Sequence, residues 1–172
     1  MKQKLLLFLI PIFLFSFDFK TEYVNHNYNK ICKYGMKHIQ SIKKNENLLS
    51  LVGFSCVKDD SFIYLPTVMV LLKKTKKARE NSVYFSILFM EKKLLISKII
   101  DGLDISYYRF PLINHPLSIV VNSLIQENYK ENDGKIIIQK SGKKYEVYKT
   151  NSDKVFIKVY ENNKLKETHW YR

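Results

Sequence analysis

Glycine occurs 5 times and proline 4 times in 172 residues. That scarcity excludes collagen-like chains and Pro/Gly-rich disordered ones. Two cysteines, Cys32 and Cys56, are too few for a disulfide-dense mini-protein or for a zinc site built on cysteine. Alanine occurs once, at Ala78, and arginine three times, at Arg79, Arg109 and Arg172. The chain holds no G-x-S-x-G elbow, no P-loop, no G-x-G-x-x-G and no C-x-x-C. The local signatures of an α/β-hydrolase, a nucleotide phosphate cradle and a thioredoxin-type redox pair are thus missing, and no cofactor fingerprint stands in their place. The four histidines, His26, His38, His115 and His169, have neither H-x-x-x-H nor H-E-x-x-H spacing, so no local metal motif exists.

What is present is apolar residue and lysine. Hydrophobic residues make up 46% of the chain, enough for the core of one domain. The net charge is +13, supplied by 26 Lys and 3 Arg against 16 acidic residues. Lysine, asparagine, isoleucine, phenylalanine and tyrosine have AT-rich codons, so AT-rich coding accounts for this profile without selection for a partner. The arginine deficit also argues against nucleic acid, whose recognition favours the planar guanidinium fork.

The amino terminus carries the strongest targeting signal. Lys2 and Lys4 precede an uncharged run of 13 residues, Leu5 to Phe17, closed by Asp18 and Lys20. As a helix that run would span roughly 20 Å, short of the ~30 Å hydrocarbon core, and Pro11 interrupts it. Residues 1–17 therefore read as a secretory signal peptide, with an uncleaved membrane anchor as the second reading because no A-x-A cleavage pattern follows. Export to an oxidising compartment then favours a Cys32–Cys56 disulfide.

Between residues 27 and 130 the apolar spacing is helical. The expected helices are Tyr28–Lys44, Asn47–Lys58, a third from Asp60 or Ser61 to about Lys77, Glu80–Ile100 capped by Asn81 or Ser82, and a fifth opened by Asn114-His115-Pro116. From residue 135 to 171 the pattern becomes short β-branched and aromatic runs divided by Ser141-Gly142, Asn151-Ser152-Asp153 and Asn162-Asn163. These predict an antiparallel meander of about four strands. In the run Lys154–Tyr160, residues Val155, Ile157 and Val159 share one face, and Phe156, Lys158 and Tyr160 the other. The expectation is a single α+β domain over 27–172, about five helices followed by one sheet.

Two groups of residues stand out as candidate binding surfaces. The run Lys73, Lys74, Lys76, Lys77 and Arg79 is the densest positive cluster, expected at the carboxyl end of the third helix. There it would complement the macrodipole or dock an anionic surface such as lipid headgroups. The meander interleaves lysine with Tyr148, Phe156, Tyr160 and Trp170, the composition of platforms that hold carbohydrate or single strands. No residue set points to catalysis, and the acidic pairs Asp59-Asp60 and Asp101/Asp104 sit at expected helix ends. The stretch Glu46–Asp59, with Cys32 upstream and the ending His169-Trp170-Tyr171-Arg172, resembles small exported proteins of AT-rich Gram-negative bacteria. That resemblance implies the bacterial periplasm and brings no activity, cofactor or catalytic residue. The functional expectation is a non-catalytic periplasmic module binding an envelope protein or an anionic polymer. The alternative is a small cell-envelope hydrolase, which needs a cleft where His115 or His169 meets a serine or a carboxylate.

Overall fold

The computed structural model describes residues 17–172. Of the expected signal peptide, residues 1–16 lie outside the described residues. Phe17 lies inside them and stacks on Tyr34, with ring centroids 3.9 Å apart and planes 7° from parallel.

Among the described residues seven α-helices precede a five-stranded sheet, two more helices and one more strand than the spacing predicts. The α+β class stands. Helix α1 (Phe19–Val24) lies upstream of the expected domain start, and the Asp18 side chain caps it by accepting from the backbone N–H of Lys20 and Thr21. The expected helix 28–44 breaks at His38 into α2 (Tyr28–Lys37) and α3 (Ile39–Ile42). Helix α4 (Glu46–Lys58) follows, with Asn45 as its cap. The expected third helix is much shorter than predicted. A 3₁₀ turn, Phe62–Tyr64, leads into α5 (Leu65–Leu71), whose first turn holds Pro66, and the chain leaves helical geometry at Leu72. Helix α6 (Lys76–Asp101) starts earlier than expected. Its cap is Thr75, not Asn81 or Ser82, and Gly102 ends it in the left-handed region at φ 70°. Asn81 instead donates to Ser50 Oγ and Ser82 to the Met69 carbonyl, so both residues tie α6 to its neighbours. Helix α7 (Pro116–Ile125) begins as the Asn-His-Pro string predicts, with Pro116 in its first turn.

Helix α4 is the centre of the helical layer. Its near-continuous apolar sequence buries Leu49, Val52, Gly53, Cys56 and Val57 against several neighbours at once. Two glycines permit that closeness. A side chain at Gly35 on α2 would overlap Val52, and one at Gly53 would come within 2.5 Å of the Phe85 ring on α6. The disulfide Cys32–Cys56 ties α2 to α4 with Cα atoms 4.9 Å apart, and both cysteines are fully buried.

The strands β1 (Lys130–Asn132), β2 (Lys135–Lys140), β3 (Lys143–Lys149), β4 (Val155–Glu161) and β5 (Lys164–Tyr171) form one antiparallel meander in sequence order. Ser141-Gly142 and Asn162-Asn163 have positive φ at both residues, the geometry that two-residue hairpins demand. Asp133-Gly134 has the same geometry and joins β1 to β2. On the inner face Ile138, Tyr145, Val147, Val155, Ile157 and Val159 are buried on strands that pack against α6 and α7, and Tyr171 is buried against Phe62 of the 3₁₀ turn. A one-residue slip would exchange the two faces.

The disulfide closes a loop between residues 24 apart in sequence, for which chain entropy gives about 3.5 kcal/mol. Urea unfolding with and without reductant measures this, and the reduced protein is expected to lose stability on that scale. An unchanged midpoint would show that the bond contributes nothing to the fold.

Candidate functional site

The basic run does not lie at a helix carboxyl end. Residues 72–75 form the extended joint between α5 and α6, and Lys76, Lys77 and Arg79 occupy the first turn of α6, where the macrodipole disfavours cations. The chain takes this path because of Glu46. Its carboxylate accepts the backbone N–H of Lys73 at 2.8 Å, Lys74 at 2.6 Å and Thr75 at 2.8 Å. Those bonds, led by that from Lys74, hold the Glu46 carboxyl down to about 2. Three converging N–H groups before a helix start make an anion nest, and here an internal carboxylate fills it. Arg79 turns inward, its guanidinium donating to the carbonyls of Lys73 and Lys74 at 3.2 and 2.7 Å. The four lysines are exposed, and Lys77 pairs with Glu80 at 3.4 Å.

The outer face of the sheet gathers its candidates into one surface. Strand register sets Tyr148 opposite Phe156 and Phe156 opposite Trp170, a row of three aromatic residues across three strands. Tyr148 and Phe156 stack with centroids 5.5 Å apart and planes 10° from parallel. Trp170 is 44% exposed. Lysines stand over these rings: Lys154 over Trp170 at 4.5 Å, Lys158 over Tyr148 at 5.5 Å and Lys135 over Tyr148 at 5.8 Å. Tyr160 lies on the same face, under Lys144 at 4.4 Å. The carboxylate of Glu146 accepts from Lys144 Nζ at 2.8 Å and from the Tyr160 hydroxyl at 3.2 Å, and the bond from Lys144 chiefly lowers its pKa. Lys135, Lys154 and Lys158 have no acidic partner in ion-pair range among the described residues.

A second feature joins the helices to the sheet. Asp60, just past the end of α4, adopts a positive φ of 55° and faces β5. His169 Nδ1–H donates to its carboxylate at 3.0 Å, while Nε2–H donates to Glu167 at 3.1 Å. Burial disfavours the charged form of His169, but two carboxylate acceptors outweigh it and raise the pKa. Burial raises Asp60 as well, and His169 offsets part of that rise. His115 lies 5.7 Å from His169, ring to ring. Burial first, then the charges of His169 and Lys58, lower it to about 3, so it is neutral. Both histidines line a cleft of about 560 Å³ between Lys58, the start of α7 and strands β3–β5. The histidine–carboxylate meeting that a hydrolase requires is present at His169. Both of its nitrogens are occupied, however, and no serine lines the cleft.

Neither the Glu46 bonds nor the Asp60–His169 pair was expected from the sequence, and no local signal announces contacts 27 and 109 residues apart. Glu91 on α6 was also missed. It is fully buried, accepts from Ser118 Oγ at 2.8 Å, and leaves Oε2 without a partner. Burial pushes its pKa up to about 7. Among the described residues no three His, Cys, Asp or Glu side chains are placed to hold a metal ion, and no helix is long and apolar enough to cross a membrane. No protein-family model matches the chain, and neither a curated protein nor a solved structure matches it at a significant level.

The buried Glu91 gives a pH dependence of known sign. Below pH ~4.5 the carboxyl is protonated in both the folded and unfolded chain. As pH rises towards 7 the unfolded chain gives up its proton while the folded one holds it, so stability falls across that window. Replacing Glu91→Gln removes this loss, which for such a shift is on the order of 3 kcal/mol. Urea titrations of both proteins at pH 4 and pH 8 are expected to differ only at pH 8, where the variant is the more stable. A variant less stable at pH 8 would refute the buried, disfavoured carboxylate.

Proposed function

We propose that the protein is an exported, non-catalytic binding module that holds an anionic polymer of the cell envelope across the outer face of its sheet. The row Tyr148–Phe156–Trp170, bordered by Lys135, Lys154 and Lys158, carries this reading. Adjacent antiparallel strands lie ~4.8 Å apart, so the row spans roughly 10 Å, with Tyr148 and Phe156 stacked on each other and Trp170 the most exposed of the three rings. A unit of the polymer packs against the exposed Trp170 ring at the end of the row, and the lysines around the row meet the polymer's negative charges. The lysines already rest over rings, so the surface is ordered before ligand arrives and loses little side-chain entropy on binding.

The Lys73–Arg79 run supports this reading less well. Its nest of backbone donors is filled by Glu46, and Arg79 is used internally. The resemblance to exported proteins, the leader-like run 5–17 and the oxidised Cys32–Cys56 pair support an envelope location for the reading.

The test is a titration with an acidic polysaccharide at low and high salt. Trp170→Ala and Tyr148→Ala are each expected to weaken binding roughly tenfold, the scale of one lost stacking contact. Lys154→Gln and Lys158→Gln are expected to reduce the salt dependence, whereas reversing Lys73, Lys74, Lys76 and Lys77 to Glu leaves stacking intact. Binding unchanged in Trp170→Ala but abolished by the four reversals would move the site to the α5–α6 joint. Tighter capture of single-stranded nucleic acid than of polysaccharide would replace the ligand class.

A further inference from the structure

The cleft between α4, α7 and the inner sheet edge is separate from the outer face, and its chemistry is set by one buried side chain. His115 is 7% exposed, and its Nδ1 accepts the backbone N–H of Leu117 at 3.2 Å, capping α7. A neutral imidazole whose Nδ1 is an acceptor carries its proton on Nε2. The tautomer is therefore fixed by the fold, and Nε2–H has no hydrogen-bond partner among the described residues. This donor belongs to a ring that lines the cleft. Lys58 at the end of α4 lines the same cleft and supplies positive charge beside it, while His169, 5.7 Å away, has both its ring nitrogens bonded to carboxylates.

We propose that this cleft binds a small organic anion, with one oxygen of a phosphate or carboxylate accepting from His115 Nε2–H and the charge facing Lys58. Four observations converge on an anion with an apolar body. The His115 ring is held by burial and by its bond to Leu117, and its Nε2–H, without a protein partner among the described residues, is reached from the cleft, so an entering acceptor meets a donor already oriented by the fold. The first turn of α7, a ten-residue helix, adds the positive end of its macrodipole. Lys143 adds a second ammonium from the mouth of β3. Pro116, Ile119 and Val159 supply an apolar wall, and about 560 Å³ exceeds what an inorganic ion fills and falls within the range of small-molecule sites. Among the described residues Glu167 is the only carboxylate lining the cleft, and it is bonded to His169 Nε2. An entering anion therefore meets it as a carboxylate already hydrogen-bonded to a histidine whose pKa its two carboxylate partners raise.

The experiment records the ring nitrogen signals of the native protein while phenyl phosphate, benzoate or inorganic phosphate is added to about 50 mM, the weak end of specific binding. The expected result is a saturating shift of the His115 Nε2 signal, with phenyl phosphate or benzoate binding at least about fivefold more tightly than inorganic phosphate. Whichever organic probe is tighter identifies the anionic group. Lys58→Gln, at an exposed position, is expected to weaken binding severalfold. His115→Asn retains a side-chain acceptor for the α7 cap and is expected to abolish the saturating shift that the same probes cause at the ring signals of His169, which lines the same cleft, while unfolding at a similar temperature. An unsaturating drift, equal affinity for organic and inorganic probes, or unchanged binding in Lys58→Gln would overturn the proposal. Those three results stand even if His115→Asn fails to fold.

Discussion

The inner–outer alternation of the sheet is the constraint on which both candidate surfaces depend. Val155, Ile157 and Val159 point into the core and are essentially inaccessible, so Phe156, Lys158 and Tyr160 must point out. The register then passes this choice to the neighbouring strands, placing Tyr148 and Trp170 level with Phe156. A buried inner face leaves the register no freedom, since a slip by one residue would carry three β-branched side chains into water and three polar or aromatic ones into the core. Burial of three aliphatic residues thus determines where the exposed rings stand. The exposed aromatic row is a by-product of core formation.

The helical layer holds that sheet in place through contacts of a different kind. Close approach of α2 and α6 to α4 at Gly35 and Gly53 builds the apolar block, and the Cys32–Cys56 bond ties one side of it. The link from this block to the last strand is polar. Asp60 leaves α4 in a left-handed conformation and meets His169 across 109 residues of sequence. An inward-facing histidine between two carboxylates is satisfied only when both nitrogens are protonated, which is why its pKa rises despite burial. Burial chiefly keeps His115 neutral, the charge on His169 adds to that effect, and the Leu117 N–H bonded to Nδ1 leaves the ring proton on Nε2. The Asp60–His169 contact therefore joins helix to sheet and also acts on the neighbouring cleft.

Local pattern made much of the fold legible in the sequence, and distant partners account for what it missed. The hairpin turns at Ser141-Gly142 and Asn162-Asn163, the two faces of β4, the start of α7 and the disulfide all rest on nearby residues or on a single pairing choice. Strand β1, Lys-Glu-Asn, is wholly exposed and has no apolar alternation to reveal it. The joint at residues 72–75 reads as helix from its flanks and is drawn out of helical geometry by Glu46, 27 residues upstream of the first N–H it accepts. Helix α3 is detached by one non-helical residue, His38, inside an otherwise continuous apolar rhythm. The aromatic residues of the platform could be named from sequence as alternate positions on strands. Their alignment into one row needed the register, and the cleft needed the whole chain.

Residue-by-residue mapping of a bound acidic polysaccharide by amide chemical shifts tests the platform most directly. Shifts are expected to concentrate on Tyr148, Phe156, Lys158 and Trp170 and the indole N–H of Trp170, with the inward-facing Val147 and Ile157 responding less. Shifts concentrated instead on residues 73–79, or on residues lining the histidine cleft, would contradict the assignment of the sheet's outer face as the polymer-binding surface.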